Sequence, residues 1–431
     1  MICAPDGVPV MRVRPRGQPH GSPPPAEPRL DGVTAYLDHA ATTPMLPEAV
    51  AAMTEELAVA GNASSLHTAG RRARRIVEEA RERVAASLGA GPSEVVFTAG
   101  GTEADNLAVK GLFWARRAQD PRRRRIVASP VEHHAVLDSL EWLAAHEGAE
   151  IDWLPVDEVG RVDVGVLRDV LSRDPASIAL VTVMWANNEV GTVQPVGDVV
   201  AAAREHEIPV HSDAVQAVGQ LPVDFEASGL DCLTVSGHKI GGAVGAGAVL
   251  ARRGLDLVPV LHGGSQERGV RSGTLHVAAL RAFGVAAEIA ARNRAEVAAR
   301  VGTLRDDLVR GIVAAVPDVV LRGDPDPAGR LPFNAHVTFP GCEGDSLLYL
   351  LDARGVECST GSACQAGVPQ PSHVLLAMGV PETVARGALR FSLGRTSTAA
   401  DVAAVTTAIG PVVERARRAG VGGFATEAVT P

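Results

Sequence analysis

Short apolar segments alternate with longer helical patterns through the first two thirds of this 431-residue chain. Seven segments rich in β-branched or apolar residues read as strands, and amphipathic stretches lie between most of them. The seven segments are 94–99, 125–129, 151–156, 178–185, 208–213, 231–236 and 245–252. This alternation predicts an α/β fold whose large domain has a mainly parallel seven-stranded sheet covered by helices.

The last third of the chain predicts a smaller C-terminal α+β domain. A long alanine- and arginine-rich helical region follows Thr274 and extends to about Val316, and further strand and helix patterns follow at 335–340, 344–355 and 388–394. We therefore expect five parts. They are a disordered extension at 1–30, a segment at 31–45 that packs with the small domain, a large domain at 46–290, a small domain at 291–415 and a flexible tail at 416–431.

Composition excludes several classes of partner. The net charge of −9 gives no reason to expect DNA, and we interpret the arginine runs at 71–75 and 122–125 as solvated faces. No apolar run reaches the roughly 18 residues that span a membrane, so no membrane partner is expected. The Pro- and Gly-rich N-terminus lacks the apolar segment of a secretion signal. Five scattered cysteines do not make a disulfide framework, which favours a cytoplasmic protein.

The chain contains only two lysines, the other 39 basic residues being arginine. Lys239 comes directly after the strand at 231–236, in "SGHK", whereas Lys110 lies within a predicted helix and is interpreted as incidental. Ligands of open α/β sheets bind at the carboxyl ends of strands, which makes Lys239 a candidate site residue. The glycines at 241–247 do not form a Walker-type phosphate loop, because in such a loop the lysine follows the glycines.

Two other strand ends carry candidate ligand-binding groups. After 94–99, the sequence "GGTEAD" predicts a helix with Thr102 at its N-cap and Glu103 in its first turn. The free backbone N–H groups of such a helix favour a phosphate, although an ordinary capped helix begins in the same way. After 125–129 come His133 and His134, a pair that is also common in ordinary surface or core positions.

The remaining strand ends add an amide and a carboxylate. Asn187 and Asn188 follow 178–185, and Asp213 ends 208–213 with Gln216 three residues later. A buried carboxylate needs a partner, either an arginine or a protonated ring nitrogen of a ligand. Five strand ends thus supply a phosphate cradle, an imidazole, an amide, a carboxylate and a lysine, which is the set that pyridoxal phosphate requires. Lys239 is then retained because arginine cannot form an imine.

Motifs along the chain also carry a family resemblance. In order they are "YLDHAATTP", "NASSLHTAGRRAR", "FTAGGTEADNLAVKG", "EHHAV", "NNEVGTVQP", "SDAVQAVG", "SGHKIGG", "HGGSQERGVRSGT", "STGSAC", "PSHVLLAMG" and "LRFSLGRTST". Together they closely resemble the cysteine desulfurases of the NifS/IscS type within the class V aminotransferases, across about residues 34–415. The resemblance implies the fold type I of pyridoxal-phosphate-dependent transferases and a homodimer.

The resemblance also implies roles for individual residues at the cofactor. Lys239 is the Schiff-base lysine, Asp213 the partner of the pyridine nitrogen, and His133 the ring-stacking residue and proton carrier. The rest of the implied cofactor site consists of Gly101, Thr102, Asn188, Gln216, Ser236, His238 and, at the neighbouring subunit's cofactor, Thr274. No metal ligands are expected.

For the substrate, the resemblance implies that Asn188 and Arg390 orient L-cysteine, with Arg390 binding its carboxylate. Cys364, within a predicted loop, takes the sulfur as a persulfide and L-alanine is released. The sulfur then passes to an acceptor protein, an iron–sulfur scaffold or a tRNA-thiolation enzyme; the sequence does not specify which.

The sequence departs from the family pattern at three positions, His39, Gln365 and Cys358, and leaves other functions open. His39 stands where many relatives have tyrosine, which we expect to be harmless, and Gln365 stands where threonine is more usual. Cys358, six residues before Cys364, is interpreted as a small buried residue in preference to a resolving thiol or a zinc ligand. Alternative functions are another class V enzyme, such as a selenocysteine lyase or an aminotransferase, and a docking scaffold that chiefly delivers sulfur.

Overall fold

The computed structural model describes residues 35–361 and 371–423. The predicted extension at 1–30, the segment with Cys364 and Gln365, and the last residues of the tail lie outside the described residues. The strands are β1 Ala35–Tyr36, β2 Val95–Thr98, β3 Arg125–Ala128, β4 Glu150–Trp153, β5 Ile178–Thr182, β6 Val210–Asp213, β7 Cys232–Ser236, β8 Gly247–Ala251, β9 Val320–Arg322, β10 Asn334–Thr338, β11 Val356–Glu357 and β12 Ala388–Ser392. The helices are α1 Pro47–Leu57, α2 Thr68–Ser87, α3 Gly101–Gln119, α4 His134–Glu147, α5 Val164–Arg173, α6 Val196–Arg204, α7 Phe225–Ser228, α8 Val277–Ala315, α9 Gly344–Asp352, α10 His373–Ala377, α11 Glu382–Ala385 and α12 Ala399–Gly423.

The seven predicted strands form a single sheet, β2 to β8, in the order β2-β8-β7-β6-β5-β3-β4. Strand β8 runs antiparallel to β2 and β7, while the other four pairings are parallel. The prediction of a mainly parallel seven-stranded sheet is therefore confirmed. Since β2, β3, β5, β6 and β7 all point the same way, the residues that follow them meet at one edge of the sheet.

Continuous apolar sequence explains why the central strands are covered on both faces. Every residue of β5 and of β7 is buried, as is typical of parallel strands between two layers of helices. Leu112 of α3 and Leu140 of α4 pack with Ile126 of β3 in one apolar cluster. In a second and larger cluster, Phe283 of α8 meets Phe97 of β2 edge to face with ring centroids 6.3 Å apart. These layers fix the positions of the strand ends.

A buried ion pair ties the segment after β8 to the sheet. Arg81 of α2 and Glu267 are 4% and 6% exposed, and Arg81 Nη2 lies 2.6 Å from Glu267 Oε1. Glu267 Oε2 accepts the backbone N–H of Phe97 at 2.8 Å, and Arg81 also donates to the carbonyl of Val95. Both charges therefore have several partners, as buried charges require.

The C-terminal part has the predicted mixture of strands and helices. Strands β9, β10 and β12 form an antiparallel sheet in the order β12-β10-β9, and β1 pairs in parallel with β11. The long helix α8 packs against α1, α2 and α12. The domain boundaries predicted at 46–290 and 291–415 stay predictions. Among the helices of the described residues, none is both long and apolar enough to cross a membrane.

Candidate functional site

A cavity of about 390 Å³ lies at the carboxyl edge of the large sheet. Residues from all five of the predicted strand ends, together with one from β12, line it. The predicted site residues among its lining are Gly101, Thr102, His133, Asn188, Asp213, Gln216, Ser236, His238, Lys239 and Arg390. Side chains far apart in sequence meet here because parallel strands deliver their ends to one edge.

Lys239 ends a single 3-10 turn that follows β7 directly. Its Nζ donates to the carbonyl oxygens of Ala40 and Ala41 at 2.5 and 2.8 Å. Burial, together with the nearby Arg390 guanidinium, lowers the pKa of Lys239 to about 8, and the charges of Asp38 and Asp213 oppose this shift. An appreciable fraction of this amine is therefore neutral, and so nucleophilic, near neutral pH.

Asp213 ends β6 and is 5% exposed. One carboxylate oxygen accepts the backbone N–H of Val215 at 2.8 Å, and burial raises the pKa of the group to about 6. The sequence left two partners open for Asp213, an arginine or a protonated ring nitrogen of a ligand. Within residues 35–361 and 371–423, no arginine forms an ion pair with Asp213. Gln216 donates to the same Ala40 carbonyl that Lys239 contacts, at 2.9 Å.

His133 is the N-cap of α4, and its Nδ1 accepts the backbone N–H of Ala135 at 3.1 Å. Since Nδ1 is an acceptor, the proton of the neutral ring lies on Nε2. Burial and the charge of Lys239 lower the pKa of His133 to about 4, so the ring is neutral at physiological pH. A neutral ring of this kind can stack on a planar ligand, and it can accept a proton at Nε2 only in the other tautomer, in which Nδ1 carries the hydrogen and no longer accepts from Ala135.

The start of α3 differs from the prediction. The helix begins at Gly101 and its N-cap is Gly100, so the prediction of Thr102 as N-cap was wrong. The physical reason is backbone conformation: Gly100 has φ 148° and ψ −179°, a combination that residues with a side chain rarely adopt. With no side chain capping the helix, its first N–H groups stay available to a ligand.

Polar groups around that helix start fit a phosphate. Ser236, 3% exposed, has a buried Oγ without a hydrogen-bond partner among the residues described. His238 Nδ1 lies 3.3 Å from Thr42 Oγ1, and burial lowers the pKa of this histidine to about 4. A buried hydroxyl without a partner is costly unless a ligand provides one. The cavity volume also lies in the range of sites for molecules of cofactor size. We conclude that these residues fit pyridoxal phosphate.

Arg390, on β12, provides the cationic side of the cavity. It is 4% exposed, and its Nη2 lies 2.8 Å from Asp38 Oδ1 while Nη1 donates to the carbonyl of Asn188 at 3.0 Å. Its Nε–H has no hydrogen-bond partner in the part of the chain that the structure describes. The guanidinium is thus held in place with a donor left over, as a carboxylate-binding arginine requires.

The two remaining predicted residues lie elsewhere. Thr274 is exposed and is not among the cavity residues of its own chain. Cys364 lies outside the described residues, but Gly361 and His373, which stand on either side of the segment 362–370, both line the cavity. The chain on both sides of Cys364 therefore reaches the site.

Cys358 and His39 have structural surroundings. Cys358 is half-buried, and burial raises the pKa of its thiol to about 12, which makes it a poor nucleophile. His39 is 6% exposed and its Nδ1 lies 2.8 Å from Thr43 Oγ1. Both observations favour packing roles for these two residues.

Sequence reasoning missed several residues that line the cavity or hold its ligand-binding groups. They include Asp38, Asp105, Glu189, Ser359 and His373. Some signals were present. Asp105 lies four residues after Gly101 and so shares a face of α3 with it, and Asp38 stands in the quoted motif "YLDHAATTP". Glu189, Ser359 and His373 likewise stand in the quoted motifs "NNEVGTVQP", "STGSAC" and "PSHVLLAMG", and Glu189 directly follows Asn188. No local pattern indicated their contacts, such as the pairing of Ser359 with Arg390 of β12.

The sequence model of the aminotransferase class-V family matches residues 35–405. The chain belongs to this family.

Similar proteins of this class V family include enzymes named as cysteine desulfurases. An "IscS-like cysteine desulfurase" of Mycobacterium tuberculosis is 59% identical over 385 residues, which cover 89% of this chain and 98% of the relative. "Cysteine desulfurase IscS" of Methanosarcina thermophila is 42% identical over 386 residues, which cover 89% of this chain and 92% of the relative. Among solved structures, a "NIFS-like protein" has a TM-score of 0.81 at 34% identity, covering 89% of this chain and all of that one. These similarities confirm the predicted fold type I architecture.

Proposed function

We propose that this chain is a pyridoxal-phosphate-dependent cysteine desulfurase that converts L-cysteine to L-alanine and carries the sulfur on Cys364. One cavity carries the proposal. It is lined by Lys239, whose pKa is lowered, and by the buried carboxyl of Asp213, and the residues on both sides of the Cys364 segment also line it. The names of the similar proteins support the same reaction.

Each side chain has a role that follows from its surroundings. Lys239 would hold the cofactor through its neutral amine, and Asp213 would face the pyridine nitrogen. The uncapped start of α3, with Thr102, Ser236 and His238, would hold the phosphate. Bound pyridoxal phosphate supplies an electron sink that acidifies the α-carbon of an amino acid.

The substrate groups fit the other side of the cavity. Arg390 would bind the carboxylate of L-cysteine, with Asn188 beside it. His133 would stack on the cofactor, and it would carry protons at Nε2 in the tautomer whose hydrogen lies on Nδ1, which requires the Ala135 N–H to leave that atom. The Cys364 thiolate would attack the substrate sulfur, so that an S–S bond forms as the C–S bond breaks. The carbon keeps the electron pair and takes up a proton, which yields L-alanine and a protein persulfide.

The proposal includes a homodimer and a sulfur acceptor. Thr274 is exposed in its own chain, which suits a residue that completes the site of the partner subunit. The persulfide would pass to an acceptor protein, an iron–sulfur scaffold or a tRNA-thiolation enzyme, in a reducing cytoplasm. The described cysteines, Cys232, Cys342 and Cys358, are not in disulfides, which suits that compartment.

The test is product stoichiometry with the purified full chain, pyridoxal phosphate, L-cysteine and a thiol reductant. We expect one alanine for each sulfide released, and both products should disappear together in Cys364→Ser. Pyruvate or a keto acid in place of alanine would indicate aminotransfer or another lyase chemistry and would contradict the proposal.

A further inference from the structure

A chain of buried polar groups lies beneath the cavity and has no part in the proposed function. Thr182 Oγ1 lies 2.9 Å from His211 Nδ1, and His211 Nε2 lies 3.1 Å from Thr234 Oγ1. Thr234 in turn faces Asp105, close enough for its hydroxyl to lower the pKa of that carboxyl, and Asp105 lines the cavity and is 1% exposed. The other three members of this chain are fully buried.

This row of buried polar groups ends beside Asp213. His211 and Asp213 are two residues apart on β6, so their side chains project to the same face of the sheet. Thr234 is the partner of Asp213 in the register of β6 and β7. Asp105 of α3 packs over this face, with its Oδ1 3.7 Å from His211 Nε2 and without a hydrogen-bond partner among the described residues.

Counting donors shows where a proton is needed. Each threonine has one O–H, and His211 has one N–H because burial lowers its pKa to about 3. If these donors point toward Asp105, they supply only one of its oxygens and leave Oδ1 without a donor. If they point the other way, Thr234 offers Asp105 an acceptor and no donor, so a bond between the two needs a proton on Asp105. Either direction is satisfied best when Asp105 carries a proton, because a buried carboxylate needs more donors than this.

The charges that face Asp105 act in the same direction. Burial, then the charge of Asp213 on β6, raise the pKa of Asp105 well above its usual range, although the Thr234 hydroxyl opposes this. Glu132 before α4 adds to the rise only where it is ionised. Cys232 on β7 also faces it and is a neutral thiol, since burial raises its pKa. Lys239 lowers the pKa of Asp213, so the negative charge of the pair is held there.

We propose that Asp105 is a positioning residue, a neutral carboxylic acid that leaves Asp213 as the ionised member of the pair. If Asp105 were ionised, its carboxylate would repel that of Asp213 and raise the pKa of Asp213, so that Asp213 would take up a proton. The neutral Asp105 thereby preserves the anion at the base of the cavity. That consequence for the cofactor rests on the proposed function, whereas the protonation of Asp105 belongs to the protein alone and is testable without cofactor.

Infrared spectroscopy of the cofactor-free full chain at neutral pH tests the proposal directly. The wild type should show the C=O stretch of a protonated carboxylic acid, and Asp105→Asn should lose it. Glu132→Gln is the matched control, because burial also raises the pKa of Glu132 to about 8 and its acid band should be a different one. In wild type with isotope-labelled aspartate, the Asp105 band should shift and the Glu132 band should not. Absence of any aspartic acid band would overturn the proposal, whether or not the variants fold.

A second measurement follows the proton through folding. A carboxyl whose pKa is raised on folding contributes most favourably below its unfolded pKa of about 3.9, and this contribution is lost as pH rises toward its folded pKa. The folding equilibrium constant of the wild type should therefore fall about ten-fold relative to Asp105→Asn for each pH unit in that window. If the ratio of the folding equilibrium constants of wild type and Asp105→Asn stays the same between about pH 5 and pH 7, Asp105 does not carry a proton. If the infrared band and this slope are present but the chain binds no pyridoxal phosphate, the inference stands and the proposed function fails.

Discussion

The lowered pKa of Lys239 leads to a quantitative prediction about which lysine reacts. At pH 7.5, an amine with a pKa of about 8 is neutral in about a quarter of molecules, whereas an ordinary lysine with a pKa of about 10.4 is neutral in roughly one in 1,000. The reactive form of Lys239 is therefore enriched about 200-fold over that of an ordinary lysine. Because the chain has only two lysines, Lys110 serves as an internal comparison.

Lys110 has different surroundings. Its Nζ lies 4.7 Å from the centroid of the Trp142 ring, and it does not line the cavity. Burial lowers the pKa of Lys110 as well, but among the described residues no carboxyl group pairs with it. We expect Lys239 to form a borohydride-reducible link with pyridoxal phosphate and Lys110 to remain unmodified.

The assay strips the cofactor, adds pyridoxal phosphate at a series of pH values, reduces with borohydride and identifies the labelled peptide by mass spectrometry. Labelling should rise with pH to half its maximum near pH 8, because the neutral amine is the nucleophile. Lys239→Ala should abolish the label and the visible absorbance, while Lys110→Ala should keep both. Labelling of Lys110 in the wild type, or a midpoint near pH 10, would refute the reasoning.

Three further predictions follow from the structure. Glu267→Gln removes the buried counter-charge of Arg81 and leaves it only the half-exposed Glu78, so the free energy of unfolding in urea should fall by about 3–5 kcal/mol. Arg122→Gln, which breaks an exposed pair, should change the free energy of unfolding by less than about 1 kcal/mol, and equal losses would contradict the argument. Cys364→Ser should keep bound cofactor, and its spectrum should still change with L-cysteine, but alanine should form more slowly by several powers of ten. Cys358→Ser should keep most activity, because its thiol is a poor nucleophile. Normal alanine release from Cys364→Ser would remove that thiol from the mechanism. Sedimentation should show a dimer, and Thr274→Ala should weaken cofactor binding without altering the sedimentation coefficient; a fully active monomer would exclude the shared site.

The sequence by itself determined the large sheet and most of the candidate site. Strand segments such as 178–185 and 231–236 are apolar runs bounded by turns, and such runs can be buried only between helical layers. Once the strands are parallel, the residues after them must meet at one edge. This is why Asp213 and Lys239 could be placed together before their contacts were known. Local chemistry was enough because each of these residues directly follows its strand.

Only the tertiary structure decided the features that depend on packing between distant segments. Gly100 takes the N-cap position because its backbone adopts φ 148°, which residue type alone did not specify. The contact of Arg390 with Asp38 joins positions 352 residues apart, and no local pattern encodes it. Asp105 carried a weak helical signal, but its proximity to Asp213 arises from the packing of α3 on β6 and β7. Burial, and with it the pKa of each group, is a property of the assembled layers and not of any one segment.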